Sequence, residues 1–315
     1  MEINNASKLT EKFSADFQKF LTPENIFFYN TKGETSSDIS VNIPQFLTQI
    51  AGPTDPTSDD ALDVVKWAND NKVVTQKRFR TKAYQIADFE EFFTAQDQRM
   101  NAMEAMQDFI QTSIGNYAAY KFASDTNIVQ TTGTSTRTSS VIGSSATVKK
   151  ITEADMIAVH SAMAKFNMPG KWYAVLSPDQ IADLLEIGNF TTADKTGINS
   201  KLLSGEFAEI LGIRIFQRQA NYGANVAFDS VGTPGTLTKM DIYGAVGAAS
   251  AITATMQGAG IFWNENALYQ AKGLAKAYVE SSAIYQSDIL SLNYTFGVEP
   301  IRNDGKGLVT LVEAV

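Results

Sequence analysis

Residues 89–123 read FEEFFTAQDQRMNAMEAMQDFIQTSIGNYAAYKFA, and this stretch decides the fold. Its apolar residues recur at steps of three and four and no proline interrupts it, which predicts one nearly continuous α-helix. Such a helix is roughly 50 Å long, more than an ordinary globular helix, and its heptad pattern is too loose for a coiled coil. Because methionine is a flexible core filler, we expect the Met100, Met103 and Met106 side to pack on the subunit's own sheet and not to line a ligand groove.

Before this helix, two β-like segments carry little apolar surface. In SSDISVNIP, residues 36–44, apolar and polar residues alternate, which predicts a strand that ends at Pro44. In KVVTQKRFRTKAYQI, residues 72–86, strong β-formers are crowded by four basic residues that are candidate inter-subunit contacts, namely Lys77, Arg78, Arg80 and Lys82. Two such strands form either a solvated surface hairpin or an arm that becomes ordered across a neighbouring subunit, since an isolated hairpin is only marginally stable in water.

The segment between these strands is rich in turn residues and acidic. It reads GPTDPTSDD at residues 52–60. Carboxylates there have the sign needed to pair with basic residues of an arm, which makes Asp59 and Asp60 candidate inter-subunit contacts. A cation site formed with Asp55 and Asp63 is the weaker interpretation, because the spacing of these residues matches no known cation-binding loop.

After the long helix, the chain alternates between helix and strand. The Ser/Thr-rich residues 124–150 mark the best internal boundary, and we expect loop or paired peripheral strands there. Capping boxes at Thr152–Asp155 and Ser177–Gln180 predict two helix starts. Short strands are predicted at residues 172–176, 211–218 and 224–229. Residues 242–262 are rich in small side chains and fit either a strand or a close-packed helix.

The C-terminal region predicts a terminal hairpin. In ILSLNYTFGVEPI, residues 289–301, apolar residues occupy every second position, which is typical of a strand with one buried face. A turn at residues 303–305 follows, and GLVTLVEA, residues 307–314, is expected to return as the pairing partner of that strand.

Composition excludes most catalytic machinery. Of 315 residues, 44% are hydrophobic and 19% are charged, which is typical of a globular protein. The chain has no cysteine, so disulfides, thiolate nucleophiles, iron–sulfur clusters and cysteine-based zinc sites are excluded. Its one histidine, His160, lies in a helical pattern, where we expect an ordinary surface or core position.

Charge and motifs exclude further classes of protein. The formal net charge of −8 argues against a dedicated nucleic-acid reader. No apolar run approaches the roughly 20 residues that span a bilayer, so no membrane partner is expected. Neither phosphate-binding glycine motif and no common hydrolase or metalloprotease motif is present. We therefore expect no enzyme activity, catalytic residue, metal site or cofactor.

The order of elements resembles that of the major capsid proteins of tailed bacteriophages, which have the Hong Kong ninety-seven-type shell fold. A short amphipathic helix predicted at residues 7–21 comes first in that order. The best local matches are KRFRTKAYQIADFEEFF (77–93), WYAVLSPDQIADLLE (172–186), GEFAEILGIRIFQR (205–218) and NYTFGVEPIRNDGKGLVTLVEA (293–314). The resemblance implies an α+β fold with five parts, namely an N-terminal arm (1–36), an extended β-loop (37–88), a spine helix with peripheral domain (89–150), a mainly axial domain (151–285) and closing β-strands (286–315).

The same resemblance implies a structural function. The chain is expected to assemble with itself, as hexamers and pentamers, into an icosahedral shell around double-stranded DNA that it contacts without sequence specificity. Portal and scaffolding proteins are the other implied partners. The short N-terminal arm leads us to expect no cleaved internal scaffold, or a separate scaffolding protein. Localisation in the virion, after assembly in the host cytoplasm, follows from this reading.

Two alternatives stay open on the sequence. One keeps the fold but makes the chain the shell of a bacterial encapsulin-like nanocompartment that holds cargo enzymes. The other is a soluble enzyme that uses only carboxylates. Particle contents separate the first from a phage capsid, and a monomeric species with an acidic pocket would support the second.

Overall fold

The structure is a computed structural model that describes residues 31–35, 40–46, 69–87, 98–187, 206–229, 237–273, 275–282, 287–302 and 304–315. The predicted helix at residues 7–21, the start of the long helix at 89–97, and the acidic residues Asp55, Asp59, Asp60 and Asp63 lie outside these ranges.

The described residues form many strands and three helices. The first strands are β1 (Lys32–Thr35), β2 (Ser40–Phe46), β3 (Asn69–Thr75), β4 (Lys77–Arg80) and β5 (Tyr84–Ala87). Helix α1 (Gln98–Phe122) follows, then β6 (Ile128–Gln130), β7 (Thr136–Thr138), β8 (Thr147–Lys149), α2 (Glu153–Ala164), β9 (Trp172–Leu176) and α3 (Pro178–Glu186). The remaining strands are β10 (Glu206–Ile210), β11 (Ile213–Gln217), β12 (Val226–Asp229), β13 (Thr238–Met240), β14 (Gln257–Asn264), β15 (Leu268–Lys272), β16 (Lys276–Ser282), β17 (Ser287–Pro300) and β18 (Leu308–Val312).

Helix α1 is unbroken over its 25 residues, as the periodicity predicts. Met103, Met106, Ile110 and Ile114 lie on its buried side, where Met103 and Met106 meet residues of β16 and β17. The prediction that the methionine side packs on the subunit's own sheet is therefore confirmed for these two residues. Phe109 departs from the pattern, because its side chain is 57% exposed.

Strand β17 is the main strand of a six-stranded sheet. It pairs antiparallel with β15, β16, β4 and β5, and β1 adds to β15 in parallel. Its alternate residues 290, 292, 294, 296 and 298 are all buried, as predicted, and lie on the side that packs against α1. Tyr117 of α1 contacts Phe79 of β4 and Phe296 of β17 edge to face, with ring centroids 5.7 and 6.2 Å apart. One helix and one strand thus hold this half of the subunit together.

The second sheet has eight strands, in the order β10-β11-β9-β14-β12-β13, with β18 between β14 and β6. Helix α1 reaches this sheet as well, because the Phe122 ring lies edge to face on Trp263 of β14 at 5.0 Å. Two small two-stranded sheets, β2-β3 and β7-β8, complete the described structure.

Local signals for the two later helices are confirmed. Both predicted capping boxes form, Thr152 with Asp155 at α2 and Ser177 with Gln180 at α3, where Pro178 is the first helical residue. His160 lies on the exposed side of α2. The strand predicted at 172–176 is β9, and the ambiguous residues 242–262 form irregular chain followed by the fully buried strand β14.

A buried ionic network joins the Ser/Thr-rich segment to the C-terminal strand. Arg137 of β7 contacts Asp183 of α3 at 3.0 Å and Glu313, just after β18, at 2.8 Å. The Glu313 carboxylate is fully buried and also accepts hydrogen bonds from the Ser140 hydroxyl and the Gln180 amide. Removal of Arg137 would leave two carboxylates buried without a counter-charge, so the network helps to fix the relative positions of three segments.

Three expectations were wrong. The chain after β17 does not return as its partner, because β18 pairs with β14 and β6 in the other sheet. All five β18 residues are buried, which suits a strand covered on both faces and not one half of an amphipathic hairpin. The strand predicted to end at Pro44 continues to Phe46, which is tolerated because β2 has only one neighbouring strand and does not need that N–H.

The third correction concerns residues 72–86, which are less polar in the fold than their composition suggests. Val74, Phe79 and Ile86 are all buried, and β4 and β5 are ordered by pairing with β17. Internal packing therefore orders the second half of the segment, whereas the β2-β3 hairpin belongs to neither of the two larger sheets.

We expect Met106→Ala to lower the free energy of unfolding by about 2–5 kcal/mol, because it opens a cavity between α1 and the sheet. Phe109→Ala on the same helix is the matched control, and its cost should stay below about 1 kcal/mol since the ring is largely in solvent. Urea unfolding of the unassembled subunit measures both. Equal costs would contradict the assigned buried face of α1.

Alkaline pH should destabilise the subunit through its core tyrosines. Burial, and then the charge of Glu299, raise the pKa of Tyr117 from 10.0 to about 12. A raised pKa means that the folded state favours the neutral phenol, so this stabilisation is complete below pH 10 and is lost as the pH rises towards 12. Tyr117→Phe should therefore flatten the fall of unfolding free energy between pH 10 and 12. An unchanged slope would contradict the burial of this phenol.

Candidate inter-subunit surface

The β2-β3 hairpin is the least supported part of the described chain. Its strands pair over seven residues each, from Ser40 opposite Thr75 to Phe46 opposite Asn69, and no third described strand joins them. Val73 points into solvent and is 47% exposed, whereas Val74 at the base of the hairpin is buried. Hairpins of this kind are marginal on their own in water, so the hairpin needs further contacts along its length.

Two glycines of the six-stranded sheet contact residues 75–76, where this hairpin ends. A Cβ atom at Gly297 of β17 would lie 2.7 Å from the Thr75 carbonyl oxygen and 3.1 Å from the Gln76 Cα. A Cβ at Gly273, between β15 and β16, would lie 2.7 Å from the Gln76 side-chain oxygen. Because neither glycine carries a side chain, the backbone at 75–76 lies in direct contact with the sheet. This contact fixes the place at which the hairpin leaves the sheet.

The four basic residues predicted as contacts divide between the two faces of the sheet. Lys77 pairs with Phe296 in the register of β17 and points inward. Its ammonium group donates to the Ala245 carbonyl oxygen and lies 5.7 Å from the Phe79 ring and 5.8 Å from the Tyr117 ring. Contacts within the subunit therefore occupy Lys77.

Arg78 and Arg80 point to the opposite, outer face. They pair with Thr295 and Asn293 of β17, whose neighbours Tyr294 and Leu292 point inward. Both arginines are exposed, and Lys82 is exposed in the loop before β5. None of the residues that the structure describes forms an ion pair with Arg78, Arg80 or Lys82. These three exposed cations therefore have no counter-ion among the described residues.

Lys276 belongs to the same surface, although its sequence position gave no sign of this. It pairs with Asn293 from the side opposite Arg80, so two cations flank one amide. The Asn293 side-chain oxygen is buried and has no hydrogen-bond partner in the described part of the chain. Only the register of β16 against β17 could have revealed this grouping, because Lys276 and Arg80 are far apart in sequence.

Buried carboxylates in the described chain serve structure. Asp155 accepts hydrogen bonds from Thr132 and Thr152, and Asp229 accepts from Thr253 and Thr255. No group of three acidic or histidine residues within the described ranges lies close enough together to hold a metal ion. No described helix is both long and apolar enough to span a membrane.

Comparison with known proteins identifies the fold. No protein-family model matches the chain, and neither does any curated protein sequence. Among solved structures, the capsid of the cyanophage P-SCSP1u aligns with 92% of this chain and 88% of its own, with a TM-score of 0.61 and 15% identity. The capsid of Helicobacter pylori bacteriophage KHP30 aligns with 91% of this chain and 88% of its own, with a TM-score of 0.63 and 8% identity.

A third match is the capsid of the cyanophage Pam1, which covers 92% of both chains with a TM-score of 0.58 and 14% identity. Similarity over nearly the whole length at such low identity is similarity of fold. The predicted α+β capsid fold is thereby confirmed.

We expect Gly297→Ala to destabilise the subunit by about 1–3 kcal/mol, because the new methyl group overlaps the Thr75 carbonyl oxygen and displaces the hairpin from the sheet. Gly247→Ala is the matched control, since a Cβ there meets no atom within 4 Å. Thermal unfolding of both variants tests this. Equal melting temperatures would show that residues 75–76 do not rest on Gly297.

Proposed function

We propose that this chain is a major capsid protein of a tailed bacteriophage, which assembles with copies of itself into an icosahedral shell around double-stranded DNA. The observation that carries the proposal is a fold shared with the P-SCSP1u capsid over 92% of the chain. A β-hairpin that no third described strand joins is a second argument, because a neighbouring copy would supply the further contacts that stabilise it.

The function is structural. The enzyme alternative needs a carboxylate poised for chemistry, whereas Asp155, Asp229 and Glu313 are each satisfied by donors of their own subunit. The encapsulin-like alternative differs in cargo and not in fold, and no described residue favours it. We infer that hexamers and pentamers form the shell, that portal and scaffolding proteins join it, and that assembly takes place in the host cytoplasm.

We infer that the outer cations of the extended loop, Arg78, Arg80 and Lys82, meet carboxylates of an adjacent copy. Asp59 and Asp60 are the proposed partners, because they lie in the same loop and carry the opposite charge. A single exposed ion pair contributes only about 0–1 kcal/mol, so this contact works through repetition around the shell and through main-chain pairing. Lys77 contributes by fixing the start of β4 on its own subunit.

The deciding experiment is electron microscopy of the purified protein, expressed alone or together with the structural genes that neighbour its own gene. We expect closed icosahedral particles, and we expect those isolated from the natural source to contain DNA that is protected from nuclease. Particles filled with a protein cargo would support the nanocompartment alternative instead. A protein that stays monomeric under all conditions of co-expression would overturn the proposal.

We expect the double variant Arg78→Glu, Arg80→Glu to keep nearly the melting temperature of the unassembled subunit but to abolish or misshape particles. Both side chains are solvent-exposed in the subunit, so only the assembled state needs their charge. The double variant Arg78→Lys, Arg80→Lys, which keeps both charges, is the matched control and should still assemble. Normal particles from the charge-reversed variant would refute the proposed contact.

Salt provides an independent measurement of the same contact. Exposed charge pairs are screened once the Debye length falls to about 3 Å at 1 M salt. The initial rate of assembly of the unmodified protein, followed by light scattering, should therefore decrease between 0.1 and 1 M sodium chloride. A rate independent of salt would argue against a charged contact.

A further inference from the structure

Three loops converge beside β12 and carry an exposed apolar patch. They are the turn between β7 and β8, the turn between β11 and β12, and the chain between β13 and β14. Ile142 and Tyr222 are 63% and 40% exposed, and Tyr243 and Ile252 beside them are half-buried. We call Ile142, Tyr222, Tyr243 and Ile252 the loop patch. It covers a small core cluster that includes Val141, Ala227 and Met256.

Hydrogen bonds between the loops hold the loop patch in one shape. The Ile142 amide donates to the Tyr222 carbonyl oxygen at 2.9 Å. The Tyr243 hydroxyl donates to the Ala224 carbonyl oxygen at 2.6 Å, and the Tyr222 and Tyr243 rings lie 5.3 Å apart. Gly223 has a φ of 79°, and a Cβ there would lie 2.3 Å from the Ser140 carbonyl oxygen. A surface already ordered before contact loses little conformational entropy on binding.

Two charged residues lie in the loops around the patch, Arg218 and Asp241, and both are hydrogen-bonded within the subunit. Residues 138–148, 219–228 and 242–264 contain no Asp, Glu, Lys or Arg, although 19% of the whole chain is charged. Asp229, which follows the second of these segments, is buried and accepts hydrogen bonds from Thr253 and Thr255. Depletion of charge together with exposed aromatic and aliphatic side chains distinguishes the core of a protein interface from ordinary surface.

The net charge of the chain indicates which kind of partner binds at the loop patch. Each copy has a formal net charge of −8, so two copies repel each other wherever acidic surfaces meet. An uncharged apolar surface is where two such copies approach without like-charge contact, whereas a strongly charged partner would lose hydration there without finding a counter-charge. We propose that the loop patch is a contact surface between two copies of this chain, a role that rests on the proposed function.

The proposed contact at the loop patch responds to salt differently from the proposed contact of the extended loop. Arg78 and Arg80 attract carboxylates and lose strength in salt, whereas apolar burial at the loop patch is not screened. The subunit would thus meet its neighbours through one contact that salt weakens and one that salt leaves intact.

Because the natural chain has no cysteine, one introduced thiol reports on the loop patch without background. In the Ile142→Cys variant, maleimide labelling should be at least about tenfold slower in assembled particles than in unassembled subunits separated from the same preparation. Equal labelling rates in the two fractions would overturn the proposal. If the unmodified protein forms no particles at all, it is the proposed function that fails; if particles form and the thiol stays accessible, only the present inference fails.

Insertion of a charge tests whether the contact is needed. Ile142→Asp should reduce the yield of particles at least about tenfold and leave the melting temperature of the subunit within a few degrees of the unmodified protein. Ile157→Asp, at a residue of α2 that is 53% exposed, calibrates the cost of the same change for folding alone. Particle yields of Ile142→Asp equal to those of the unmodified protein, in both low and high salt, would overturn the proposal.

Discussion

The packing of α1 against β17 is the constraint on which the rest of the subunit depends. The inner side chains of β17 pack in one apolar cluster with this helix, and four strands take their register from β17. The same helix ends on the second sheet, where Phe122 meets Trp263. Halfway along, Gly115 leaves room for the Arg218 guanidinium, which donates to Asn116 at 2.7 Å. Two sheets that share no strand are therefore joined by one helix, together with the hydrogen bond from Lys77 to the Ala245 carbonyl oxygen.

Charged groups divide into two populations with different roles. Arg137, Asp183 and Glu313 are paired inside the subunit, where the loss of one partner is costly. Arg78, Arg80 and Lys82 stand on the outside, where their charge costs little while the subunit is alone. The first population stabilises the subunit, and the second is available for the contacts with neighbouring copies that we propose.

Local patterns in the sequence predicted local structure well. The unbroken course of α1 over residues 98–122, the two capping boxes and the alternation along β17 follow from interactions within a few residues, and all were confirmed. Pairing between distant strands was not predictable in this way. The destination of β18, the inward turn of Lys77 and the approach of Lys276 to Arg80 depend on pairing between strands that are far apart in the sequence, which periodicity does not encode. In the sequence, Gly297 is one more small residue on the polar side of a strand. Its role follows only from the close approach of residues 75–76 in the fold.

The late position of β17 and β18 in the chain has a consequence for synthesis. Strands β4 and β5 pair with β17, and β6 and β14 pair with β18. Neither large sheet can therefore be complete until residues 287–312 have been translated. Topologies with such distant pairings fold late and slowly. A polypeptide released early by the ribosome would lack the main strand of the six-stranded sheet and could not present a folded surface to finished copies. Incomplete chains of this kind leave strand edges unpaired and apolar side chains exposed, which makes them prone to aggregate.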